Sequence, residues 1–236
     1  MGKLVAYGGF STSNYLEQPY NSDLDFGTGD FCIMGWVKST NTGAARIAYR
    51  ANGTASPNRY ALDITSGPVY RVFVVDGSST AFLCSGTAGP NNTWQFVVGL
   101  RRSGQLELYV DGVLEATAGG NADVTNTDAT LKVGADTAFP LTGSLALLRI
   151  SATAPSPEQI KKIYEDEKVL FQENAQATLY GSSDAVTALA YDDTTELLHV
   201  GTSAGRSDFQ GLRRVSNTTN AVGAAISASN GMIVEE

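Results

Sequence analysis

The stretch TWQFVVGLRRSGQLELYVDGVLEATA, residues 93 to 118, decides the fold class of this chain. Apolar and polar residues alternate along it, which is the period of a half-buried β-strand. Two dipeptides interrupt the alternation, Ser103-Gly104 and Asp111-Gly112, and both accept the positive φ angles that tight hairpin turns need. The stretch therefore predicts consecutive antiparallel hairpins, which together form a meander.

The same alternation continues on both sides of this meander, through most of the first 154 residues. The clearest further strands are FCIMGWVK at 31 to 38, RYALDIT at 59 to 65, VYRVFVV at 69 to 75 and SLALLRIS at 144 to 151. Turn residues separate these runs at the short intervals that are typical of all-β sandwiches and barrels. We therefore expect an all-β fold.

The period of the sequence changes near residue 156, where a helix is predicted. Ser156 is a good N-cap residue, and Gln159 lies three positions later, as a capping box requires. Ile160, Ile163 and Tyr164 then form one apolar stripe at helical spacing. One short helix should close the first domain.

Composition excludes several classes of partner. The chain has 16 Lys and Arg residues against 24 Asp and Glu residues, a net charge of −8 that disfavours a nucleic-acid partner. No stretch approaches the ~20 apolar residues that a membrane-spanning helix needs. The first residues, MGKLVAYGGF, lack the apolar run of a secretory signal, so we expect no signal peptide and no membrane insertion.

The C-terminal third is a different kind of sequence. The net charge divides into −2 for residues 1 to 154 and −6 for residues 155 to 236. Three antiparallel strands are predicted there, AVTALAY, ELLHVGT and FQGLRRV. The tail AVGAAISASNGMIV is too apolar for a solvated terminus and should pack against something. Because so small a sheet leaves faces and edges bare, we expect it to borrow cover from the first domain or from other chains, as in a homo-oligomer.

Several stretches together resemble a known family. They are SNYLEQPYNSDLDFGTGDFCIMGWVKS at 13 to 39, the meander at 93 to 118, LKVGA at 131 to 135 and LTGSLALLRISATAPSPEQIKKIYEDE at 141 to 167. Their order is similar to that in laminin-G-like domains of the concanavalin A-like lectin/glucanase class. The resemblance implies an antiparallel jelly-roll β-sandwich over residues 1 to 170, with a carbohydrate- or protein-binding role in many members and a bound calcium in some. Residues 171 to 236 would then form a small C-terminal β region.

A second resemblance concerns the C-terminal region from YDDTTELLHVG onward, which is similar to terminal regions of bacteriophage virion proteins such as tail fibres and head fibres. It implies a non-enzymatic virion component, made in the host cytoplasm, whose jelly roll binds a host cell-surface glycan or a neighbouring virion protein. A homo-oligomer is expected, with a trimer favoured. The alternatives are a free-standing carbohydrate-binding module and, third, a glycan hydrolase.

Binding residues are predicted from the alternation of the middle strands. Alternate side chains of a strand point to opposite faces of the sheet. The side chains expected to point inward are Ile47, Tyr49, Tyr60, Leu62, Ile64, Tyr70, Val72 and Val74. Those expected on the opposite face are Arg46, Ala48, Arg50, Arg59, Asp63, Arg71 and Phe73. Guanidinium groups beside an aromatic ring suit an acidic sugar or a carboxylate-rich protein surface. The predicted ligand-binding residues are therefore Arg46, Arg50, Arg59, Asp63 and Arg71. The alternative is an ordinary solvated sheet face. Trp36 and Trp94, in apolar strands, are expected in the core.

Calcium is the one metal that the sequence leaves open. Two Asp- and Asn-rich loops could supply oxygen ligands, and the weak candidates are Asp23, Asp25, Asp123 and Asp128. The same residue types are common turn formers, and we favour turns. One histidine and two separated cysteines, Cys32 and Cys84, cannot supply a four-ligand zinc site, and both thiols should be unpaired core residues. No cofactor is predicted.

Catalysis is not predicted. No strand carries the Glu-x-Asp-x-x-Glu spacing of the glucanases with this fold, and the adjacent Glu165, Asp166 and Glu167 should simply be solvated on a helix. Residues 201 to 205, GTSAG, match a Gly-x-Ser-x-Gly motif, but the only histidine, His199, precedes the serine. We expect the glycines to form a loop between strands.

Overall fold

The computed structural model describes residues 6–53, 56–171, 178–182, 185–211 and 213–235. The chain divides into two compact units, Met1–Phe171 and Gln172–Glu236. Both consist mainly of antiparallel β-strands, as the alternation of the sequence predicts. No helix among the described residues is both long and apolar enough to cross a membrane.

The first unit is a sandwich of two six-stranded antiparallel sheets. Its strands are β1 (Tyr7–Gly8), β2 (Leu16–Gln18), β3 (Phe31–Ser39), β4 (Ala45–Ala51), β5 (Arg59–Ile64), β6 (Tyr70–Val75), β7 (Ala81–Ser85), β8 (Trp94–Arg102), β9 (Gln105–Val110), β10 (Val113–Gly119), β11 (Thr130–Val133) and β12 (Gly143–Ser151). The first sheet has the order β1-β12-β3-β8-β9-β10, and the second has the order β2-β11-β4-β5-β6-β7. The all-β prediction and the strands predicted within the first unit are confirmed.

Both hairpin turns of the meander have the predicted backbone. Ser103 and Gly104 have φ angles of 49° and 76°, and Asp111 and Gly112 have 51° and 77°. Each pair closes a two-residue turn of the kind whose twist matches that of the flanking strands. Strands β8, β9 and β10 are accordingly neighbours in the first sheet.

The main core lies between the two sheets. Side chains such as Phe31, Tyr60, Val72 and Val97 are completely buried there. Gly99 of β8 lies opposite the second sheet, and a Cβ atom on it would lie 2.7 Å from Val72 Cβ and 2.9 Å from Leu62 Cδ1. The two sheets can approach each other closely at this point because glycine has no side chain.

The Gly99→Ala variant should therefore be destabilised by about 1–3 kcal/mol, because the added methyl group overpacks a close-packed core. Urea unfolding followed by tryptophan fluorescence would measure the change. Gly119→Ala is the matched control, since Gly119 also lies in a strand but a Cβ atom on it would have open space, with no contact within 4 Å among the described residues beyond its chain neighbours. Equal stabilities of the two variants would contradict this account of the sheet contact.

A second core covers the outer face of the first sheet. Helix α1 (Pro157–Glu167) begins with the predicted capping box between Ser156 and Gln159, and a 3₁₀ turn, Lys168–Phe171, follows it. The predicted stripe packs against the sheet around Trp36, whose ring stacks on Phe171 at 4.2 Å between centroids. Trp36 is buried and Trp94 packs against the same cluster, so both are core residues as expected.

One prediction for the helix is wrong. The sequence predicts a solvated Glu167, but its carboxylate accepts a hydrogen bond from Trp36 Nε1 at 2.8 Å and pairs with both terminal nitrogens of Arg149, each at 2.8 Å. Its side chain is only 18% exposed. The buried indole N–H needs an acceptor, and the last turn of the helix supplies it.

The described residues of the second unit form six strands: β13 (Val186–Asp192), β14 (Leu197–Thr202), β15 (Gly205–Gln210), β16 (Arg213–Thr218), β17 (Ile226–Ser229) and β18 (Met232–Glu235). The first four form one antiparallel sheet in sequence order, and the last two form a hairpin. The prediction of FQGLRRV as a single strand is wrong. Gly211, with a φ angle of 61°, turns the chain so that this segment is divided between β15 and β16.

The apolar tail packs, as predicted, and it does so on the sheet of its own unit. Val222 is 1% exposed, and its backbone N–H donates to Thr202 O at 2.9 Å. A Cβ atom on Gly201 would lie 2.7 Å from Val222 Cγ1 and 3.0 Å from Ile226 Cδ1, so this glycine makes room for the tail. The unit still exposes several large apolar side chains, namely Val186, Leu189, Tyr191, Val215, Met232 and Val234.

Both cysteines are free and buried, as predicted. Burial raises the pKa of the Cys32 thiol to about 12 and that of Cys84 to about 11. Both side chains therefore behave as small apolar core residues rather than as reactive thiolates.

Candidate functional site

The outer face of the second sheet differs from its prediction because β4 contains a β-bulge. Arg46 lies opposite Asp63, but Ala48, two residues later, lies opposite Leu62, only one residue away. The inward and outward positions are exchanged beyond this point. The predicted placements of Ala48, Tyr49 and Arg50 are consequently wrong: Ala48 belongs to the core between the sheets, and Tyr49 belongs to the outer face.

Arg46, Asp63 and Arg71 do lie together on the outer face, as predicted. Arg71 Nε and Nη2 donate to the two oxygens of Asp63 at 3.0 and 2.7 Å. Arg46 pairs with Asp63 as well, and its Nε donates to Asp136 at 3.1 Å. The two guanidinium groups are thus already engaged by two carboxylates of the protein. This network balances its own charge, which leaves less capacity to recognise an acidic ligand than unpaired arginines would have.

Aromatic rings complete this network. The Arg46 guanidinium lies 4.9 Å from the ring centroids of Tyr49 and Phe139, and Arg71 lies 4.9 Å from that of Phe73. Tyr49 and Phe73 are almost completely buried, at 3% and 5% exposed. The centre of the outer face is therefore a packed layer, with little ring surface available for a ligand.

Arg59 lies at the end of β5, where the outer face meets the connecting loops. Its Nη1 donates to the backbone oxygen of Ser56, so the side chain holds the end of the β4–β5 loop. Among the five predicted binding residues, Arg46, Asp63 and Arg71 are grouped together, Arg59 lies at the edge, and Arg50 lies inside the sandwich. Their role in binding a ligand stays a prediction.

The buried Arg50 connects the sheet to the loop before β11. Its side chain is 1% exposed, forms an ion pair with Asp25 at 3.2 Å and donates to Asn126 O at 2.9 Å. A longer contact reaches Val124 O at 3.5 Å. Asp25 in turn accepts the backbone N–H of Asn126 at 3.0 Å. This arginine therefore fixes one wall of the cleft described next.

A polar cleft of about 340 Å³ opens between the β4–β5 loop and the β10–β11 loop. Its lining consists of Asn52, Ser56, Pro57, Asn58, Thr125, Asn126, Thr127 and Asp128. Side-chain amides and hydroxyls dominate this lining, and its one charged side chain is a carboxylate. Such groups can donate to and accept from the hydroxyls of a bound molecule. We refer to these eight residues as the loop cleft.

Hydrogen bonds within the loop cleft fix two of its asparagine side chains. Asn58 Nδ2 donates to Thr125 O at 2.8 Å, and Asn126 Nδ2 donates to Asn58 O at 3.2 Å. Asn58 Oδ1 is buried and has no hydrogen-bond partner within the part of the chain that the structure describes. A buried acceptor without a partner costs free energy. This oxygen lies towards Gly77, where a Cβ atom on that glycine would be 3.2 Å away, so it is not part of the surface that a ligand would meet.

The calcium candidates do not converge on one point. Asp25 is paired with Arg50, and Asp123 accepts the backbone N–H and hydroxyl of Thr125 at 2.9 and 2.6 Å. These hydrogen bonds hold the pKa of Asp123 below its usual range. Asp23 and Asp128 lie in separate loops, and no cluster of three or more His, Cys, Asp or Glu residues suitable for a metal occurs in the described ranges. The residues present do not fit the calcium that the family resemblance implies.

The Gly-x-Ser-x-Gly motif is a hairpin turn, as expected. Strand β14 ends at Thr202 and β15 begins at Gly205, so Ser203 lies in the tight turn between them. His199 Nδ1 lies 2.7 Å from Asp208 Oδ1, across the sheet from β14 to β15. This carboxylate also contacts Arg206 and Ser216. His199 thus belongs to a polar network that holds the sheet together.

Sequence reasoning finds only part of the loop cleft. It predicts Asp128 as a turn former or calcium candidate, and it gives no binding role to Asn52 or Asn58. The one available signal is the density of Asn, Ser and Thr in two loops, one that follows β4 and one that precedes β11, its neighbour in the sheet. Periodicity cannot show that two loops meet, because the pairing of β4 with β11 connects residues that are far apart in the sequence.

Comparisons with solved structures find related folds at low sequence identity. A carbohydrate-binding module of family 40 from the Ruminococcus gnavus IT-sialidase, bound to α2,3-sialyllactose, matches with a TM-score of 0.50 and 15% identity, over 69% of this chain and 99% of that one. Domain 4 of the arabinanase AbnA from Geobacillus stearothermophilus, in complex with arabinotriose, matches with a TM-score of 0.51 and 17% identity, over 70% and 82%. A heptameric SAP-like pentraxin from Limulus polyphemus matches with a TM-score of 0.50 and 13% identity, over 67% and 80%. These likenesses concern the fold.

Comparison with curated protein sequences finds no match. The family comparison is decisive, because the model described as "Concanavalin A-like lectin/glucanases superfamily" matches residues 10–161. This range includes both sheets of the sandwich, apart from β1, and the beginning of α1. The chain therefore belongs to the concanavalin A-like lectin/glucanases superfamily.

Proposed function

We propose that the first unit is a non-catalytic glycan-binding domain and that the loop cleft holds a neutral sugar. The observation that carries this proposal is the cleft itself, which is lined by side-chain amides and hydroxyls. Two of the similar folds were solved with saccharides bound, the neutral arabinotriose and the acidic α2,3-sialyllactose, which supports glycan binding but not the choice of a neutral sugar.

The size and position of the loop cleft support this assignment. A volume of about 340 Å³ falls within the range of small-molecule sites. The cleft lies on loops that a rigid sandwich supports, and Arg50 holds one of them from within. Loops on a rigid scaffold are common positions for binding residues.

The charge of the loop cleft favours a neutral glycan. Asp128 is its one charged side chain and would repel a sugar carboxylate. The arginines expected to attract an acidic sugar are engaged elsewhere, Arg46 and Arg71 with Asp63 and Arg50 with Asp25. A preference for sialylated or uronic-acid glycans would therefore argue against the loop cleft as the site.

A glycan array followed by calorimetry on the strongest neutral ligand tests the proposal. Thr127→Trp should fill the loop cleft and weaken binding by at least about ten-fold, which corresponds to about 1.4 kcal/mol. Thr117→Trp makes the same change at an exposed position of β10, in the other sheet, and should bind as the original chain does. Loss of binding in an Arg71→Ala variant, with Thr127→Trp unaffected, would place the ligand on the outer face instead.

We further propose that this domain serves a bacteriophage particle, with the C-terminal unit as its point of assembly. The similarity of this region to terminal regions of virion proteins supports the proposal. A second support is the apolar surface that the unit exposes, including Leu189, at 60% exposed, and Met232, at 70%. Exposed apolar patches often mark interaction sites. The host glycan would then be a cell-surface attachment point.

Light scattering on the full chain tests the assembly proposal. We expect a homo-oligomer, with a trimer favoured, and the double variant Leu189→Asp/Met232→Asp should shift it towards monomer because charged residues disfavour a buried apolar interface. The pair Lys161→Asp/Lys162→Asp, on the exposed side of α1, serves as the control. A monomeric original chain at high concentration would contradict the proposal.

A further inference from the structure

The chain contains four Asx-Gly dipeptides, and one of them differs from the others. They are Asn52-Gly53, Asp76-Gly77, Asp111-Gly112 and Asn230-Gly231. A glycine after Asn or Asp leaves the following backbone nitrogen sterically accessible, because glycine has no Cβ. Such a pair can form a cyclic imide when both the side chain and that nitrogen are free to meet.

Three of the four pairs are restrained by hydrogen bonds. Asp76 Oδ1 accepts from Ser78 N and Thr80 N, both at 2.8 Å. Asp111 Oδ1 accepts from Phe96 N at 2.8 Å. These bonds hold each carboxylate in place.

The pair at Asn230-Gly231 is restrained in a different way. The two residues form the turn of the β17–β18 hairpin, with φ angles of 52° and 78°. Gly231 N–H donates to Asp192 Oδ2 at 2.6 Å, and Asn230 Oδ1 accepts from Thr194 Oγ1 at 3.2 Å. Both reacting groups are therefore occupied.

In the described ranges, no such restraint is seen at Asn52-Gly53. Both residues are exposed, and neither the Asn52 side chain nor Gly53 N has a hydrogen-bond partner among the residues that the structure describes. The Asn52 backbone is held by its N–H bond to Ser56 Oγ at 3.0 Å, and Gly53 O accepts from Tyr49 Oη at 3.2 Å. The backbone is anchored on both sides, while the reacting groups face solvent.

From this contrast, we infer that Asn52 is a site of spontaneous deamidation in the folded protein and that Asn230 is protected. The Gly53 nitrogen loses its proton and attacks Asn52 Cγ, so that a C–N bond forms, the Cγ–Nδ2 bond breaks and ammonia leaves. Water then opens the cyclic imide at either carbonyl, which gives aspartate or isoaspartate. The net reaction consumes one water and releases one ammonia, without any oxidant or enzyme.

The consequence concerns the loop cleft directly. Asn52 is one of its lining residues, so the product carries a second carboxylate beside that of Asp128. The isoaspartyl product also adds one backbone atom to the β4–β5 loop. The inference does not depend on the proposed glycan binding, because the reaction itself can be measured without a ligand.

Peptide mapping tests the inference on the full chain after incubation at mildly alkaline pH, in water enriched in the heavy oxygen isotope. Trypsin releases residues 51 to 59 as one peptide, and fragment spectra separate Asn52 from Asn58. We expect Asn52 to deamidate at least about ten-fold faster than Asn230 in the native protein, with the two rates converging in urea, where the hairpin no longer protects Asn230. An Asn52→Gln variant should show no such product in this peptide.

Two outcomes would overturn the inference. An intact Asn52 in the native protein would show that the loop does not reach the reactive geometry. Equal native rates at Asn52 and Asn230 would show that the hydrogen bonds to Asp192 and Thr194 do not protect the hairpin turn. Neither result would bear on glycan binding, which the array measures separately.

Discussion

An Arg101→Met variant should lose about 3–5 kcal/mol of stability, the largest effect that we expect from a single substitution in the first unit. Arg101 lies on β8, and its side chain is completely buried. Its guanidinium donates to Gly29 O at 2.7 Å, Gly27 O at 2.7 Å and Ala122 O at 2.6 Å. Methionine fills much of the volume but leaves these carbonyls without a donor.

Denaturant unfolding would measure this loss, and neighbouring variants make the result specific. Arg102→Met changes the next residue, which points to the opposite face, and should cost less than about 1 kcal/mol as a partly exposed ion pair with Glu107. Arg101→Lys keeps the positive charge but loses the planar guanidinium group with its several donors. The stability of this variant should therefore lie between that of Arg101→Met and that of the original chain. Burial lowers the pKa of the Arg101 guanidinium from its usual value, and the nearby carboxylates of Asp30 and Asp123 oppose that shift. Equal losses at positions 101 and 102 would contradict this explanation.

An Arg50→Met variant should lose a similar amount, about 3–5 kcal/mol, for a different reason. Removing the Arg50 guanidinium leaves the Asp25 carboxylate without its ion-pair partner, and the Asp25 side chain is only 10% exposed. The substitution also removes the hydrogen bond to Asn126 O, which holds one wall of the loop cleft in place. We therefore expect both lower stability and weaker glycan binding in the same variant.

The Asp25→Asn/Arg50→Met double variant distinguishes the two effects. Removing the stranded charge should restore more than about 1 kcal/mol of stability, since losing both members of a buried pair costs less than losing one. Glycan binding should stay weak, because the loop before β11 has still lost its anchor. A double variant as unstable as Arg50→Met would show that the unpaired Asp25 charge does not cause the loss of stability. Arg102→Met is the control, because Arg102 lies in the other sheet, pairs with Glu107 and does not line the loop cleft.

Much of the fold follows from short-range patterns. The meander depends on turns at Ser103 and Asp111, where the backbone has positive φ angles, and α1 depends on the capping box at Ser156. Neighbouring residues determine each of these features, and the structure contains all of them. Gly211 is also a local turn signal, but the residues on either side of it, FQ and LRRV, are compatible with one continuous strand. A single glycine therefore does not reveal the turn.

The candidate site could not be predicted from the same patterns. One extra residue in β4, between Arg46 and Ala48, reverses the face of Arg50 and moves it from the predicted binding surface into the sandwich. A bulge leaves no mark in an alternating sequence, because it only shifts the count by one. The loop cleft depends on two loops that meet through long-range pairing, and the arginines that look free in the sequence are engaged by Asp25, Asp63 and Asp136.

A titration of the isotope-labelled full chain with its strongest neutral glycan, followed by backbone amide chemical shifts, tests the glycan-binding proposal most directly. The account predicts that the largest shift changes cluster at Asn58, Asn126 and Thr127, on the two loops of the loop cleft. Shift changes centred on Arg71 and Phe73 of the outer face, or none at any concentration of neutral glycan, would contradict it.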